Sequence, residues 1–265
     1  MTIVLIALIL YFAAAGLLVR AMVNSADAAD SGSGRSTGAG WAWAAIPAIA
    51  LHAGYHAKVA MQTAGGPDMH FLAALSLVGL GMAALTTLVG QRGRMAALGV
   101  VVFPLSALLL LCYHGYGHAP SPVLGWRLGL HAWLALLAYA TLAVSALLAI
   151  MLWLQEHALR QRVFSGWRRA LPPLTELETL LFRSITAGFL LLSLTLLTGF
   201  FFVQDLLAQK VLEKTVLSVL SWVVFGALLI GRSRYGWRGR KAVHWTLAAV
   251  ILLALAYFGT KLLMM

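Results

Sequence analysis

The stretch LHAWLALLAYATLAVSALLAIMLW, residues 130–153, decides the fold class of this chain. It contains no Asp, Glu, Lys or Arg, and it is longer than the roughly 20 residues that a helix needs to cross a bilayer. Similar apolar runs recur on both sides of it. We therefore predict an all-α polytopic membrane helix bundle of about eight transmembrane helices, at residues 2–20, 41–60, 70–89, 95–113, 128–154, 183–204, 215–231 and 242–263.

The composition supports this prediction. Of the 265 residues, 62% are apolar and only 10% are charged, whereas a soluble domain carries about 25% charged residues. Eight spans use roughly 160 residues, which leaves only loops and ends. We expect a single membrane domain over residues 1–265. We expect no fused ATPase, separate catalytic domain or nucleic-acid-binding module, and we expect the basic residues to face lipid rather than nucleic acid.

Several chemistries are absent from the sequence. Cys112 is the only cysteine, so the chain has no intramolecular disulfide, no Cys-x-x-Cys redox pair and no Cys-x-x-Cys-His heme attachment motif. It also lacks a Gly-x-x-x-x-Gly-Lys-[Ser/Thr] phosphate loop. No catalytic constellation is visible, and we expect the protein not to be an enzyme.

The distribution of basic residues predicts the topology. Fourteen of the nineteen Lys and Arg residues fall in the loops that join predicted spans 1–2, 3–4, 5–6 and 7–8. The positive-inside rule makes these loops cytoplasmic and places both termini outside. No Lys or Arg precedes the first span and Arg20 follows it, which is the wrong polarity for a cleaved signal. We expect that first helix to be retained.

Residues 155–182 form a basic cytoplasmic segment in this topology. The arginines there alternate with Leu, Val, Phe and Trp, so an interfacial helix and a plain extension of the fifth span are both open. Thr175 and Glu178 have the spacing of a capping box, which predicts that the sixth helix begins near Thr175.

The histidines carry the functional signal. Six of the eight lie in the outer half of the predicted bundle or outside it: His52, His56, His70, His114, His118 and His131. Imidazole is a common ligand of heme iron and of metal ions, so this distribution indicates iron or heme near the outer face. His52 and His56 share one helix face, being four residues apart. The alternative for each is a buried histidine that only makes hydrogen bonds.

Four segments together resemble the cytochrome c assembly family of membrane proteins, the CcsA/CcmC/HemX group, and within it the short YpjD-type inner-membrane branch. The first is LHAGYHAKVAMQTAGGPDMHFLAALSLVGLG at residues 51–81. The others are residues 130–162, residues 171–200, and residues 214–263 with the Gly-Trp-Arg-Gly turn at 236–239. Members of this family handle heme at the outer face and deliver it to apocytochrome c.

The resemblance implies heme as the cofactor and a multi-pass location in the bacterial inner membrane. It implies His52 and His131 as heme-iron ligands and Trp222 as a further cofactor-binding residue. His56, on the same helix face as His52, is a further candidate for cofactor binding. Arg127 is a cation on the outer side, so that it either extends to the lipid headgroups or pairs with a heme propionate. Heme, apocytochrome c and other cytochrome c maturation proteins are the implied partners, with the lipid bilayer.

The chain departs from the family pattern at one external loop. The segment QDLLAQKVLEK, residues 204–214, contains no tryptophan and lacks the family's Trp-Gly…Trp-x-Trp-Asp signature. A heme-free membrane scaffold or regulator that keeps the fold is therefore the second interpretation. A small-solute transporter is the third, weakened by the lack of a carboxylate at the centre of any predicted span.

Overall fold

The computed structural model describes residues 1–30, 39–63, 66–90, 94–117, 125–160, 173–202 and 209–259. These residues form eight α-helices, without any strand. The helices are α1 (Thr2–Asp30), α2 (Ala42–Gln62), α3 (Phe71–Gly90), α4 (Gly99–Tyr116), α5 (Trp126–Arg160), α6 (Leu174–Phe202), α7 (Gln209–Tyr235) and α8 (Arg240–Ala254). Short 3-10 turns at Ala39–Trp41 and Arg94–Leu98 precede α2 and α4, and a π-helical turn, Leu255–Gly259, follows α8.

The predicted all-α membrane architecture is confirmed. Within the described residues, seven segments are long and apolar enough to cross a membrane, and each lies in one of the helices other than α2. Helix α2 covers the remaining predicted span, but His52, His56 and Lys58 make it more polar than the others. The predicted external position of both termini stays a prediction.

The chain divides into two compact units, which we describe separately. The first unit contains α1 to α4, and the second contains α5 to α8. The prediction of one membrane domain over residues 1–265 stays a prediction. Of the predicted 155–182 segment, residues up to Arg160 belong to α5 and residues from Leu174 belong to α6, while 161–172 lie outside the described residues.

The first unit is held together by close packing of α1 against α2 and α4, and of α3 against α4. Tyr11 and Phe103 are fully buried, with ring centroids 6.1 Å apart, and the Trp41 ring centroid lies 5.9 Å from that of Phe103. The Ser106 hydroxyl donates to the carbonyl of Gly79 on α3 at 2.8 Å. Small residues and interhelical hydrogen bonds are the usual means by which membrane helices associate.

The second unit is built around the long contact between α5 and α6. Gly188 lets α6 approach Leu142 so closely that a β-carbon there would lie 2.5 Å from the leucine side chain. On the same contact, the Ser145 hydroxyl donates to Ser184 Oγ at 2.8 Å, and Ser184 donates to the carbonyl of Thr141 at 3.1 Å. These contacts fix α5 against α6.

The predicted capping box at the start of α6 is not formed. Helix α6 begins at Leu174, which confirms the predicted start near Thr175 but places Thr175 within the helix rather than ahead of it. The Glu178 carboxylate instead accepts a hydrogen bond from the backbone N–H of Gly239 at 2.9 Å. The sequence pattern assigned the Glu178 carboxylate to the N-terminal end of α6. In the structure this carboxylate instead holds the turn before α8.

Candidate functional site

His52 lies at the centre of a hydrogen-bonded chain in the first unit. Its side chain is fully buried, with Nδ1 3.1 Å from the Tyr11 hydroxyl and Nε2 2.9 Å from Ser76 Oγ. Both ring nitrogens are therefore occupied. An iron ligand has to present an unshared nitrogen, so His52 coordinates iron only after Tyr11 or Ser76 gives up its hydrogen bond.

Ser76 joins His52 to His56. The Ser76 hydroxyl is 3.0 Å from His56 Nε2, so one hydroxyl serves two imidazoles. A hydroxyl has a single proton to donate, and therefore at most one of the two histidines accepts from Ser76, so that at least one of them donates to it. The protonation of the two rings is thereby linked. His56 also stacks on Tyr113, with ring centroids 4.7 Å apart and an interplanar angle of 5°.

Asp68 fixes the segment between α2 and α3. It accepts hydrogen bonds from the backbone N–H of His70 at 3.1 Å, from His70 Nδ1 at 2.6 Å and from the Tyr113 hydroxyl at 3.3 Å. Burial alone raises the pKa of this carboxyl, but the hydrogen bonds and charge of His70, with the Tyr113 hydroxyl, outweigh it and hold the pKa below its usual value. Asp68 is therefore a carboxylate at neutral pH.

Another imidazole of the first unit is bound internally. His114 Nδ1 lies 2.6 Å from the Tyr55 hydroxyl. His118, the remaining histidine of the predicted outer set in this part of the chain, lies outside the described residues. In the first unit, His52, His70 and His114 each bind another side chain of the same unit through a ring nitrogen.

His131 in the second unit has a different environment. It lies near the start of α5 and packs against Gly199 of α6, where a β-carbon would come within 3.1 Å of its Cε1. Its Nδ1 is 3.1 Å from the carbonyl oxygen of Thr195 and 3.2 Å from Thr198 Oγ1. The ring is therefore held from one side by the backbone and one hydroxyl of α6.

The partners of His131 define which nitrogen carries the proton. A carbonyl oxygen only accepts hydrogen bonds, so Nδ1 of a neutral His131 is the protonated nitrogen. Thr198 donates its own hydroxyl proton to the carbonyl of Leu194 at 2.9 Å, which leaves its oxygen free to accept. Nε2 then keeps its lone pair and has no hydrogen-bond partner among the described residues. An Nδ1–H bonded to a carbonyl is the usual support of a metal-ligating histidine.

Arg127 lies one helical turn before His131 and also faces the end of α6. Its guanidinium is 5.4 Å from the Trp126 ring centroid and 5.9 Å from that of Phe202. Residues four apart share one face of a helix, so an exposed cation and an available imidazole lie side by side on α5. This arrangement offers an electron-pair donor for iron and a positive charge for a carboxylate.

Trp222 is engaged within the second unit. Its indole N–H donates to Ser193 Oγ at 2.8 Å, and its ring stacks on Phe189 with centroids 5.4 Å apart. These contacts join α7 to α6. In this arrangement the polar atom of Trp222 is used for helix packing.

Heme fits the His131 region on the chemistry of its donors. The porphyrin itself supplies four nitrogens to iron, so one or two protein ligands suffice. His131 Nε2 provides one, and Arg127 can pair with a propionate. Within the part of the chain that the structure describes, three or more His, Cys, Asp or Glu side chains do not converge as a bare metal ion would require. His52 itself does not offer an unshared imidazole nitrogen in this conformation, whereas Nε2 of the nearby His70 is buried and has no hydrogen-bond partner among the described residues.

The sequence did not single out the residues that orient His131. Thr195 and Thr198 contribute a carbonyl and a hydroxyl, and Gly199 contributes space. These small and hydroxyl residues interrupt a run of α6 that is otherwise rich in Leu and Phe. This interruption is the only sequence signal that could have identified them. Likewise Tyr11 and Ser76, which bind His52, lie on other helices and were not predicted as its partners.

The fold and this site define a multi-pass helical membrane protein with an imidazole presented near the end of a helix pair. The family profile described as "Cytochrome C assembly protein" matches residues 41–265. The chain belongs to this family, as its resemblance predicted. No solved structure matches the chain.

Individual relatives agree with this assignment. The chain is 32% identical over 221 residues to the inner membrane protein YpjD of Escherichia coli strain K12, covering 82% of this chain and 84% of the relative. It is 33% identical to a 28.8 kDa protein of Azospirillum brasilense, covering 78% and 89%. It is 26% identical to the cytochrome c biogenesis protein CcsA of Synechococcus sp. strain CC9311, covering 67% of each chain.

Proposed function

We propose that this protein binds heme through Nε2 of His131 and takes part in cytochrome c maturation in the bacterial inner membrane. The observation that carries the proposal is the hydrogen bond from His131 Nδ1 to the Thr195 carbonyl, because it leaves Nε2 available. Family membership supports a heme-related maturation role. The relatives named for the inner membrane and for cytochrome c biogenesis support the location and the process.

The residues of this chain have separable tasks in the proposal. His131 would hold the heme iron through Nε2, and Thr195 and Thr198 keep the imidazole in one orientation. Arg127 would supply the positive charge that pairs with a heme propionate. Heme itself supplies the redox-active iron. The protein holds the ring, orients it and passes it to apocytochrome c or to another maturation protein.

His52 is the second candidate ligand, and His56 its neighbour on the same face. In this proposal His52 reaches iron only when Tyr11 or Ser76 releases it. Trp222 acts through its contact with Ser193 and Phe189 on α6, the helix that also carries the partners of His131.

Absorption spectroscopy of the detergent-purified protein tests the proposal. A pyridine hemochrome assay after reconstitution with hemin should give heme in stoichiometric amount for the wild type. His131→Ala should abolish or strongly reduce it, and Arg127→Gln should weaken binding to a lesser degree. His52→Ala measures whether the first unit also contributes a ligand.

A matched control is available on the same unit. His244 is exposed on α8, and His244→Ala removes one imidazole without touching α5 or α6. The control should bind heme as the wild type does. Heme retained at full stoichiometry by a folded His131→Ala protein would refute the assignment of the ligand.

A heme-free scaffold is the second candidate function, and one observation favours it. His52 and Trp222 have their polar atoms bound internally, so two of the implied cofactor residues serve packing. This function predicts that a wild-type protein fails to bind hemin and that His131→Ala still complements a deletion strain. Loss of complementation by a stable His131→Ala protein would exclude it.

A further inference from the structure

The turn between α7 and α8 exposes a group of cations. We define the cationic turn as Arg234, Arg238, Arg240 and Lys241, all exposed, around the Gly236–Gly239 connection. Four positive charges within eight residues lie at the shared end of two candidate membrane spans, Leu212–Tyr235 and Arg240–Tyr257. This places them at the level of the lipid headgroups.

Three of these four charges form no ion pair within the described residues. Arg238 comes nearest to a carboxylate, with Nε 3.9 Å from Glu178 Oε2, and its side chain remains 68% exposed. Arg234, Arg240 and Lys241 form no ion pair within the described ranges. Arg240 and Lys241 also lie in the first turn of α8, where positive charge opposes the helix dipole. Their presence is therefore not explained by the stability of α8.

Arg232, by contrast with the cationic turn, is a structural arginine. Its guanidinium lies 4.7 Å from the Phe182 ring centroid, and its Nη1 donates to the carbonyl of Trp237 at 3.4 Å. This side chain is used inside the unit to join α7, α6 and the turn. The residues of the cationic turn point their charge outward instead.

The turn is held in one conformation. Gly236 and Gly239 have positive φ angles of 64° and 55°, which favour glycine. The backbone N–H of Trp237 donates to the carbonyl of Gly231 at 3.2 Å, and that of Gly239 donates to Glu178. The Trp237 ring packs on Gly231 and lies 5.2 Å from the Trp245 ring. A fixed backbone presents the cations in a defined arrangement.

We propose that the cationic turn is a binding site for the phosphate group of an anionic phospholipid. Guanidinium groups bind phosphate oxygens in bidentate geometry, and basic residues beside a span attract acidic headgroups. The exposed rings of Tyr235 and Trp245 flank the charges, and aromatic rings of this kind settle at the headgroup level. The site is separate from the His131 region and does not depend on heme.

Native mass spectrometry of the full chain with mixed phosphatidylglycerol and phosphatidylcholine tests this. The wild type should retain phosphatidylglycerol in preference to phosphatidylcholine of the same acyl chains. The variant R234Q/R240Q should lose most of this preference, by a factor of about three or more. The charge-conserving variant R234K/R240K should keep the larger part of it and shows that the fold tolerates changes at these positions.

The matched control removes the same amount of charge elsewhere. Arg20 and Lys58 are exposed cations of the first unit, and R20Q/K58Q should keep the lipid preference. An equal loss in both double variants would overturn the proposal in favour of a general effect of net charge. An equal retention of both lipids by the wild type would also overturn it. Displacement of phosphatidylglycerol by inorganic phosphate at low millimolar concentration would assign the site to free phosphate instead.

Discussion

His52 in the first unit and His131 in the second differ in what their ring nitrogens do. In the first unit His52 has both nitrogens hydrogen-bonded to side chains of other helices. In the second unit His131 has one nitrogen held by α6 and the other without a partner among the described residues. The first arrangement uses imidazole to join helices, and the second prepares imidazole for a ligand. Position in the membrane alone does not distinguish them, whereas hydrogen bonding does.

The largest effect on stability is expected from Ser76→Ala. The change leaves Nε2 of His52 and Nε2 of His56 without their shared partner, and His52 is fully buried. A buried polar group without a hydrogen bond costs about 1 to 3 kcal/mol, so we expect a loss of about 2 kcal/mol in the free energy of unfolding. Unfolding by titration with SDS measures it.

His131→Ala is the matching change in the second unit. It removes a hydrogen-bond partner only from the Thr195 carbonyl and from the Thr198 hydroxyl, which also donates to Leu194. The loss in the free energy of unfolding should therefore stay below about 1 kcal/mol. A cost for His131→Ala that equals that of Ser76→Ala would contradict the distinction between a structural and a ligand-ready histidine.

A smaller, pH-dependent effect on the free energy of unfolding is expected from Asp68→Asn. The folded protein holds the pKa of Asp68 below its unfolded value, so the ionised carboxyl contributes stability above that unfolded value of about 4. This contribution is lost as the pH falls through the lower pKa of the folded state. The wild type should therefore lose stability on acidification below about pH 4 more steeply than Asp68→Asn does.

SDS titrations at pH 3.5, 5 and 7 compare the two proteins. Glu176→Gln, on an exposed position of α6, is the control for removal of one carboxyl. Parallel pH profiles of the wild type and Asp68→Asn would show that the Asp68–His70 pair does not stabilise the segment between α2 and α3.

Sequence reasoning predicted the fold class because apolar runs of about 20 residues leave few alternatives. It also recognised the family, and it selected the histidines and Arg127 as the polar groups of interest. It did not predict that Glu178 binds the turn at Gly239, because a capping box and a distant hydrogen bond have the same local sequence. Contacts between helices far apart in the chain, such as Tyr11 with His52, require the packed structure.

The smallest effect is the change in heme affinity that we expect from Thr198→Val. This variant tests how the His131 ring is held. The change removes the hydroxyl 3.2 Å from Nδ1 but keeps the Thr195 carbonyl at 3.1 Å. Because the backbone acceptor alone fixes the proton on Nδ1, heme affinity should fall by less than about threefold, below the usual effect of losing an outer-shell partner. Gly199→Val gives the comparison, since its β-carbon would lie 3.1 Å from His131 Cε1 and displace the ring. Hemin titration followed in the Soret band should show a clearly greater loss for Gly199→Val. The reverse order would mean that the hydroxyl, and not the backbone of α6, orients the imidazole.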